Sequence, residues 1–411
     1  MKRILVLAFS ISILTGAFFW LNAYPVDLVL PEDMNAADLA QEGLTIWFSE
    51  DSHFFPTGVA VEIFSNSAAE IHYTLDGAEP TIASARFSEP LVFTTRQHMD
   101  VIVLRAIAVF EEEITEPLTH TFFIGSGVDE RFDVMVFSLS TNPEHLYDHV
   151  TGILVDGIIR EEYLAENPGA RIDPTVPANF NQSGPESERP IYVEAFLPNG
   201  ERILSQAAGV RVSGAWSRAE RVKSLRLIAR REYSPDAGRF HFEFFPGDVI
   251  QDGFATPLQE YNTLILRNGG NDRHHGILTN ELSSVIARRA DFIAATPVRA
   301  AALFINGEYK GYVWLQTRFD EHYLQELFNT PTREFDVVER GEWWFRNATE
   351  EQELALTYKN EYAFLDLTDD AIFAELESIV DIDNLLFYYA FQIWLGNGDW
   401  PHNNLRRWRY T

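Results

Sequence analysis

The stretch "WLGNGDWPHNN", residues 394–404, gathers Asp399, His402, Asn403 and Asn404 into six positions. A carboxylate and an amide oxygen at this separation are parts that phosphoryl transfer asks of a protein. That reaction needs little covalent help: a carboxylate orients or deprotonates the acceptor hydroxyl, and oxygen ligands hold Mg2+. Asp399, followed five positions later by Asn404, has the offset such a pair uses. An Asp after Gly398 is equally an ordinary turn residue, and D-x4-N arises by chance in many chains. His402 lacks a second histidine or carboxylate at helical ligand spacing. His274 and His275 are adjacent in a loop, where both cannot easily face one metal.

A second group lies upstream. Lys223 stands at the entrance to the strand "SLRLIA", where a lysine can reach the α- and β-phosphates of a nucleotide. Its plain alternative is an exposed strand-edge lysine. Arg218, Arg221, Arg226, Arg230 and Arg231 make this stretch basic in a chain whose formal net charge is -29. A polyphosphate needs such a patch, and a salt-bridged sheet face would also use it. The 61 acids make carboxylate pairs common everywhere, so none is singled out for glycoside hydrolysis. Walker A, G-x-S-x-G and dinucleotide-binding motifs are absent. The acidic balance argues against nucleic acid as a partner. With no cysteine, disulfides, thiolate chemistry and cysteine metal sites are excluded.

These residues need elements to hold them. At the N-terminus, Lys2 and Arg3 precede a stretch from Ile4 to Ala23 without charge. Residues 1–24 therefore read as an export signal, either cleaved or retained as a membrane anchor. Residues 40–125 read as an all-β sandwich of the immunoglobulin/fibronectin type. "VAVEIFS" alternates, with Val59, Val61 and Ile63 on one face, and "IHYTLDGAEPT" is a strand ending in an Asp76–Gly77 turn. Asp76 is a calcium or sugar ligand in one reading and a turn residue bonding its own backbone in the other.

Residues 126–411 read as an α+β domain, strands first and helices after. Asn199–Gly200 and Asn306–Gly307 mark hairpins. Residues 167–190, rich in Pro, Asn, Ser and Gly, read as a long surface loop: a mobile lid, a partner contact or an inert insertion. "ILTNELSSVIARRA" reads as an amphipathic helix, with Ile277, Leu278, Leu282, Val285 and Ile286 near helical spacing. "DIDNLLFYYAFQIWL", residues 381–395, is apolar almost all round and predicts a helix buried in the core.

Four blocks in order carry a family resemblance. "GVRVSGAWSRAERVKSLRL", "LILRNGGND", "LFINGEYKGYVWL" and "DNLLFYYAFQIWLGNGDWPHNN" resemble the spore-coat-protein-H-like (CotH) kinase family from about Asp133 onward. "IHYTLDGAEPT" and "VIVLRAIAVF" resemble chitobiase/hexosaminidase C-terminal-like modules. The resemblance implies an atypical, protein-kinase-like fold, secreted or at the cell surface, that uses ATP with Mg2+ or Mn2+ to phosphorylate protein hydroxyls. Surface or coat proteins are the implied substrates, and a cell-surface glycan is a candidate ligand of the first module. By the resemblance, Asp399 is catalytic, Asn404 (with Asn403 adjacent) binds metal, and Lys223, with Arg218 nearby, contacts nucleotide. Two departures stand out. Thr317 and Arg318 lie where many members carry a glutamate, so no acidic partner for the lysine is assigned. No Asp or Glu follows Asp399, so the second metal aspartate is expected beyond Thr411. The alternative is a non-catalytic extracellular binding protein with a degenerate kinase-like domain.

Overall fold

The computed structural model describes residues 43–410 apart from 96–98, 252–255, 275, 277, 293–294, 340–363 and 401–404. The proposed signal, residues 1–24, lies outside these. Among the described residues no helix is long and apolar enough to cross a membrane.

The first module is all β. Among the described residues its strands are β1 (Ile46–Phe48), β2 (His53–Phe55), β3 (Val59–Val61), β4 (Ile63–Ser65), β5 (Glu70–Thr74), β6 (Ala85–Arg86), β7 (Leu91–Phe93), β8 (Asp100–Phe110), β9 (Glu113–Ile114) and β10 (Leu118–Ile124). The main sheet runs β2-β10-β8-β5-β6, with β9 on β8. The pairs β1-β4 and β3-β7 form two ribbons. Val61 and Ile63 point inward with Phe48, Leu104 and Phe122, as the alternation predicts. Asp76 Oδ1 accepts the Ala78 N–H at 3.0 Å, and Gly77 has φ +79°, so Asp76 serves its own turn.

Next comes a closed seven-stranded barrel. Its strands are β11 (Met135–Ser140), β12 (Arg189–Phe196), β13 (Arg202–Ser213), β14 (Ser224–Ile228), β17 (Thr263–Arg267), β18 (Val298–Ile305) and β19 (Glu308–Thr317), in the order β11-β12-β13-β14-β17-β19-β18. A short ribbon, β15 (Phe240–His241) with β16 (Glu260–Tyr261), stands beside it. All barrel pairings are antiparallel except β11 with β18, which closes the ring in parallel. Phe137, Val193, Leu227, Leu266 and Leu303 fill the interior. Gly200 and the Asn306–Gly307 pair have positive φ at the two predicted hairpin tips.

Among the described residues the helices are α1 (Pro143–Tyr147), α2 (Gly157–Glu166), α3 (Thr279–Arg289), α4 (Glu321–Phe328), α5 (Asp370–Glu377) and α6 (Ile382–Trp394). A last ribbon pairs β20 (Phe335–Glu339) with β21 (Arg406–Tyr410). The described chain is therefore mostly β, more so than the α+β reading of residues 126–411 expects.

Module and barrel share an apolar cluster. Phe54 and Phe123 pack with Val136, Phe196, Ala302 and Phe304 from the outer faces of β11, β12 and β18. Beside it Glu194, fully buried, accepts from Ser52 Oγ, from Thr121 Oγ1 at 2.6 Å and from Arg202 Nη1 at 3.4 Å. The two signature turns also meet. A Cβ on Gly77 would lie 2.3 Å from Asn306 Oδ1, and one on Gly307 would lie 2.6 Å from the Val101 carbonyl.

Two expectations about helices are corrected, and the 167–190 loop is located. The 381–395 helix is not enclosed: Leu386 is 61% and Trp394 69% exposed. Apolarity all round shows what a helix would bury, and here the ring contacts on α6 come from Phe292 and Trp400 among the described residues. On α3 the buried residues are Glu281 and Ala287, while Leu278 and Leu282 are exposed, because an ion pair rather than the apolar stripe faces the barrel. The 167–190 loop is tied to its surroundings near Val176–Asn179. Arg160 donates to the Val176 and Pro177 carbonyls, and Asn179 Nδ2 donates to those of His149, Val150 and Gly152.

Candidate phosphate and hydroxyl site

Lys223 ends the tight turn that follows a 3-10 segment, Trp216–Ala219, and leads into β14. Its Nζ donates to the carbonyls of Arg218 at 2.8 Å and Glu220 at 3.0 Å. It also lies 4.0 Å from the centroid of the Phe180 ring, which the pinned loop supplies. An ammonium has three donors. Two meet carbonyls here, and the charge rests against an aromatic face. Burial lowers the lysine to about 8; Asp156 and Glu220 oppose this, and Arg160 adds to it.

Arg218 braces the same place from the other side. Its Nε donates to the Gly214 carbonyl at 2.6 Å and its Nη1 to those of Asn181 at 3.0 Å and Gln182 at 2.6 Å. Burial lowers its pKa as well. The lysine reaches from the turn into the loop's ring, and the arginine reaches from the turn to the loop's carbonyls.

Two sequence blocks are joined through Asn268. Its Oδ1 accepts from Ser224 Oγ at 2.9 Å and from the Gly270 N–H at 2.9 Å. Its Nδ2 donates to the Val222 carbonyl at 2.7 Å, and its own N–H donates to Ser224 Oγ at 3.0 Å. The "K-S" turn and the "R-N-G-G" strand end thus form one unit. Gly269 and Gly270 both take positive φ there, which lets the chain leave β17 for α3. His274 Nε2 lies 3.0 Å from Glu220 Oε2.

Sequence patterning alone misses Glu281. It sits in the first turn of α3, 2% exposed, with Oε1 at 2.9 Å from Arg267 Nη1 and Oε2 without a hydrogen-bond partner. Burial raises its pKa against the pull of Arg267. The one signal for it is a lone acid near the start of a helix that follows an RNGG turn, and the apolar stripe of the same helix masks it.

Asp399 belongs to another element. Gly396 (φ +63°) ends α6, and Asn397 folds back through its Nδ2 onto Gln392 Oε1 at 2.7 Å. Asn397 Oδ1 then accepts the Asp399 N–H at 3.0 Å, and Asp399 lies exposed on this turn. Through Phe292, just beyond α3, α6 stacks Phe387 at 5.0 Å. Asn404, the proposed metal ligand, lies outside the described residues, as do Asn403 and His402. Lys223 and Arg218 thus form one cluster. Asp399 is carried separately, on the helical part that meets the barrel side through α3.

Comparison with known families fits this layout. Residues 210–411 match the family model described as CotH kinase protein, and residues 61–122 match the one described as Fn3 associated. The chain carries a CotH kinase domain preceded by an Fn3-associated module. The first match begins inside β13, so β11 and β12 precede it. No curated protein matches the chain.

Proposed function

We propose that this protein is an exported atypical kinase of the CotH family that transfers the γ-phosphate of ATP to hydroxyls of surface or coat proteins. The observation that carries the reading is the family match over residues 210–411, whose separate motif blocks are stitched together at Val222, Ser224 and Asn268. In this reading the CotH domain is a divergent protein-kinase-like fold. Asp399 orients and deprotonates the acceptor hydroxyl; its exposed position on this turn suits an incoming protein segment. Lys223 and Arg218 supply positive charge toward nucleotide. An amide oxygen is a hard donor suited to Mg2+ or Mn2+, so Asn404 would hold the cation. When bound, ATP supplies the phosphoryl group and the cation screens its charge.

The test is transfer from labelled ATP with Mg2+ or Mn2+ to a generic protein acceptor. Asp399→Asn should reduce transfer by about 10²-fold or more with unchanged thermal unfolding. Equal labelling by both proteins sinks the assignment.

One observation favours a second reading, a non-catalytic binding protein. Lys223 and Arg218 already engage backbone carbonyls and a ring, so both act as braces as they stand. In that reading full-length protein neither binds nor turns over ATP, and the Fn3-associated module is the place to look for a glycan.

A further inference from the structure

Strands β13, β14, β17 and β19 turn Val210, Leu225, Leu227, Leu266 and Leu315 into the barrel. By alternation Arg211, Arg226, Ile265, Arg267, Trp314 and Gln316 lie on the outer face. The register sets Arg226 directly across from Arg211 on one side and Ile265 on the other, with the Arg267–Trp314 pair further along. Arginines directly opposite each other are unfavourable unless something answers the charge.

Two of the three arginines are answered. Arg211 Nε and Nη2 reach Glu188 Oε2 at 2.6 and 2.5 Å, and Arg267 holds Glu281. Arg226 makes no hydrogen bond or ion pair among the described residues, and its Nε is closed off from solvent. The acids that face it are Glu188 and Asp320. Glu188 is already engaged by Arg211, Arg230 and the Tyr233 hydroxyl. Asp320 caps α4 through the Tyr323 N–H and lies 3.5 Å from Arg318 Nε. Burial, with Arg318 adding to it, lowers Arg226 to about 10, so it keeps its charge at neutral pH. A buried donor without a partner is costly and uncommon in folded chains. It is accounted for if an anion completes it.

We propose that Arg226 receives the polyphosphate of a nucleoside triphosphate on this outer face, in place of or ahead of Lys223. The inference rests on the phosphoryl-transfer reading above. A guanidinium fork matches phosphate oxygens. Trp314 puts a partly exposed ring on the same face, which suits a nucleobase more than free phosphate. Glu281 Oε2, another buried atom without a hydrogen-bond partner, belongs to the pair with Arg267 on that face and suits a ribose hydroxyl. Lys223, by contrast, is committed to Phe180 and two carbonyls.

The experiment measures thermal unfolding and calorimetric binding of the full chain with Mg-ATP and with tripolyphosphate. Wild type, Arg226→Met, Arg226→Gln and Lys223→Met are compared. Without ligand, Arg226→Met and Arg226→Gln should unfold a few °C higher than wild type, because a half-buried charge with a partnerless Nε is gone. Both should bind Mg-ATP at least 10-fold more weakly, and Lys223→Met should change affinity less. Mg-ATP binding tighter than tripolyphosphate supports a nucleotide; the reverse order overturns it in favour of an inorganic polyphosphate. Wild-type affinity in both Arg226 variants overturns the inference and leaves the kinase reading intact. Nucleotide bound through Arg226 without phosphotransfer leaves the inference standing and removes the kinase reading. If the wild type binds neither ligand, both fall.

Discussion

At the scale of residues, Lys223 is informative because one side chain serves two elements. Its lowered pKa has a definite consequence for stability. Between about 8 and its ordinary value of 10.5, the folded protein holds fewer protons on this group than the unfolded chain does. Stability from this group therefore rises as pH climbs through that window, and it is lower below 8. The unfolding temperature of wild type, relative to Lys223→Met, should increase from pH 7.5 to pH 10. A flat difference would place the lysine in open solvent. Phe180→Leu should move the same profile toward the variant's, since the ring is what the ammonium leans on.

At the scale of elements, glycines at the meeting of module and barrel can be told apart by what surrounds them. Gly307 (φ +79°) faces the Val101 carbonyl, whereas Gly311 (φ +110°), four residues on, has nothing within 4 Å of where an added methyl would stand. Gly307→Ala should therefore cost about 2–4 kcal/mol of unfolding free energy, against about 1 kcal/mol of backbone strain for Gly311→Ala. Urea denaturation decides it, and equal losses would show that the contact carries no energy. Asn306→Ala should add to the picture by releasing the backbone N–H and carbonyl of Thr141, which Asn306 pairs with at 2.9 Å each way. The element scale is also where the sequence is most and least readable. The Asn-Gly and Asp-Gly turns announce themselves because few residues tolerate positive φ, and strand alternation marks Val61 and Ile63. The burial of Glu281 and the exposure of Leu386 are not readable. Both depend on which neighbour arrives, and a single helix pattern carries no record of its neighbour. The basic stretch 218–231 is visible as composition. Its division into braces (Lys223, Arg218), paired charges (Arg230) and an unanswered one (Arg226) depends on the barrel register.

At the scale of the whole molecule, buried acids set the response to pH. Burial raises Glu194, Asp248 and Glu281, and raises Glu326 to about 8 despite Arg239 at 2.7 Å and the Asn262 N–H. Folded protein thus binds more protons than unfolded chain from near 4.5 up to about 8, so this contribution is full at the acid end and is lost as pH rises through 8. The net charge of -29 acts in the same direction, since acid relieves self-repulsion. Urea midpoints should be higher at pH 5.5 than at pH 8, and Glu326→Gln should remove part of the slope, roughly 2 kcal/mol after allowing for its arginine. A midpoint higher at pH 8 would contradict the burial of these groups. The parallel closure of β11 on β18 has a further consequence, in time rather than in energy. Met135–Ser140 finds its partner only when Val298–Ile305 has been made, some 160 positions later on the chain. During synthesis the first module can complete its own sheet early. The first barrel strand must meanwhile wait with one edge open, so the interval before ring closure is when this chain is most exposed to mispairing and most dependent on whatever shields it.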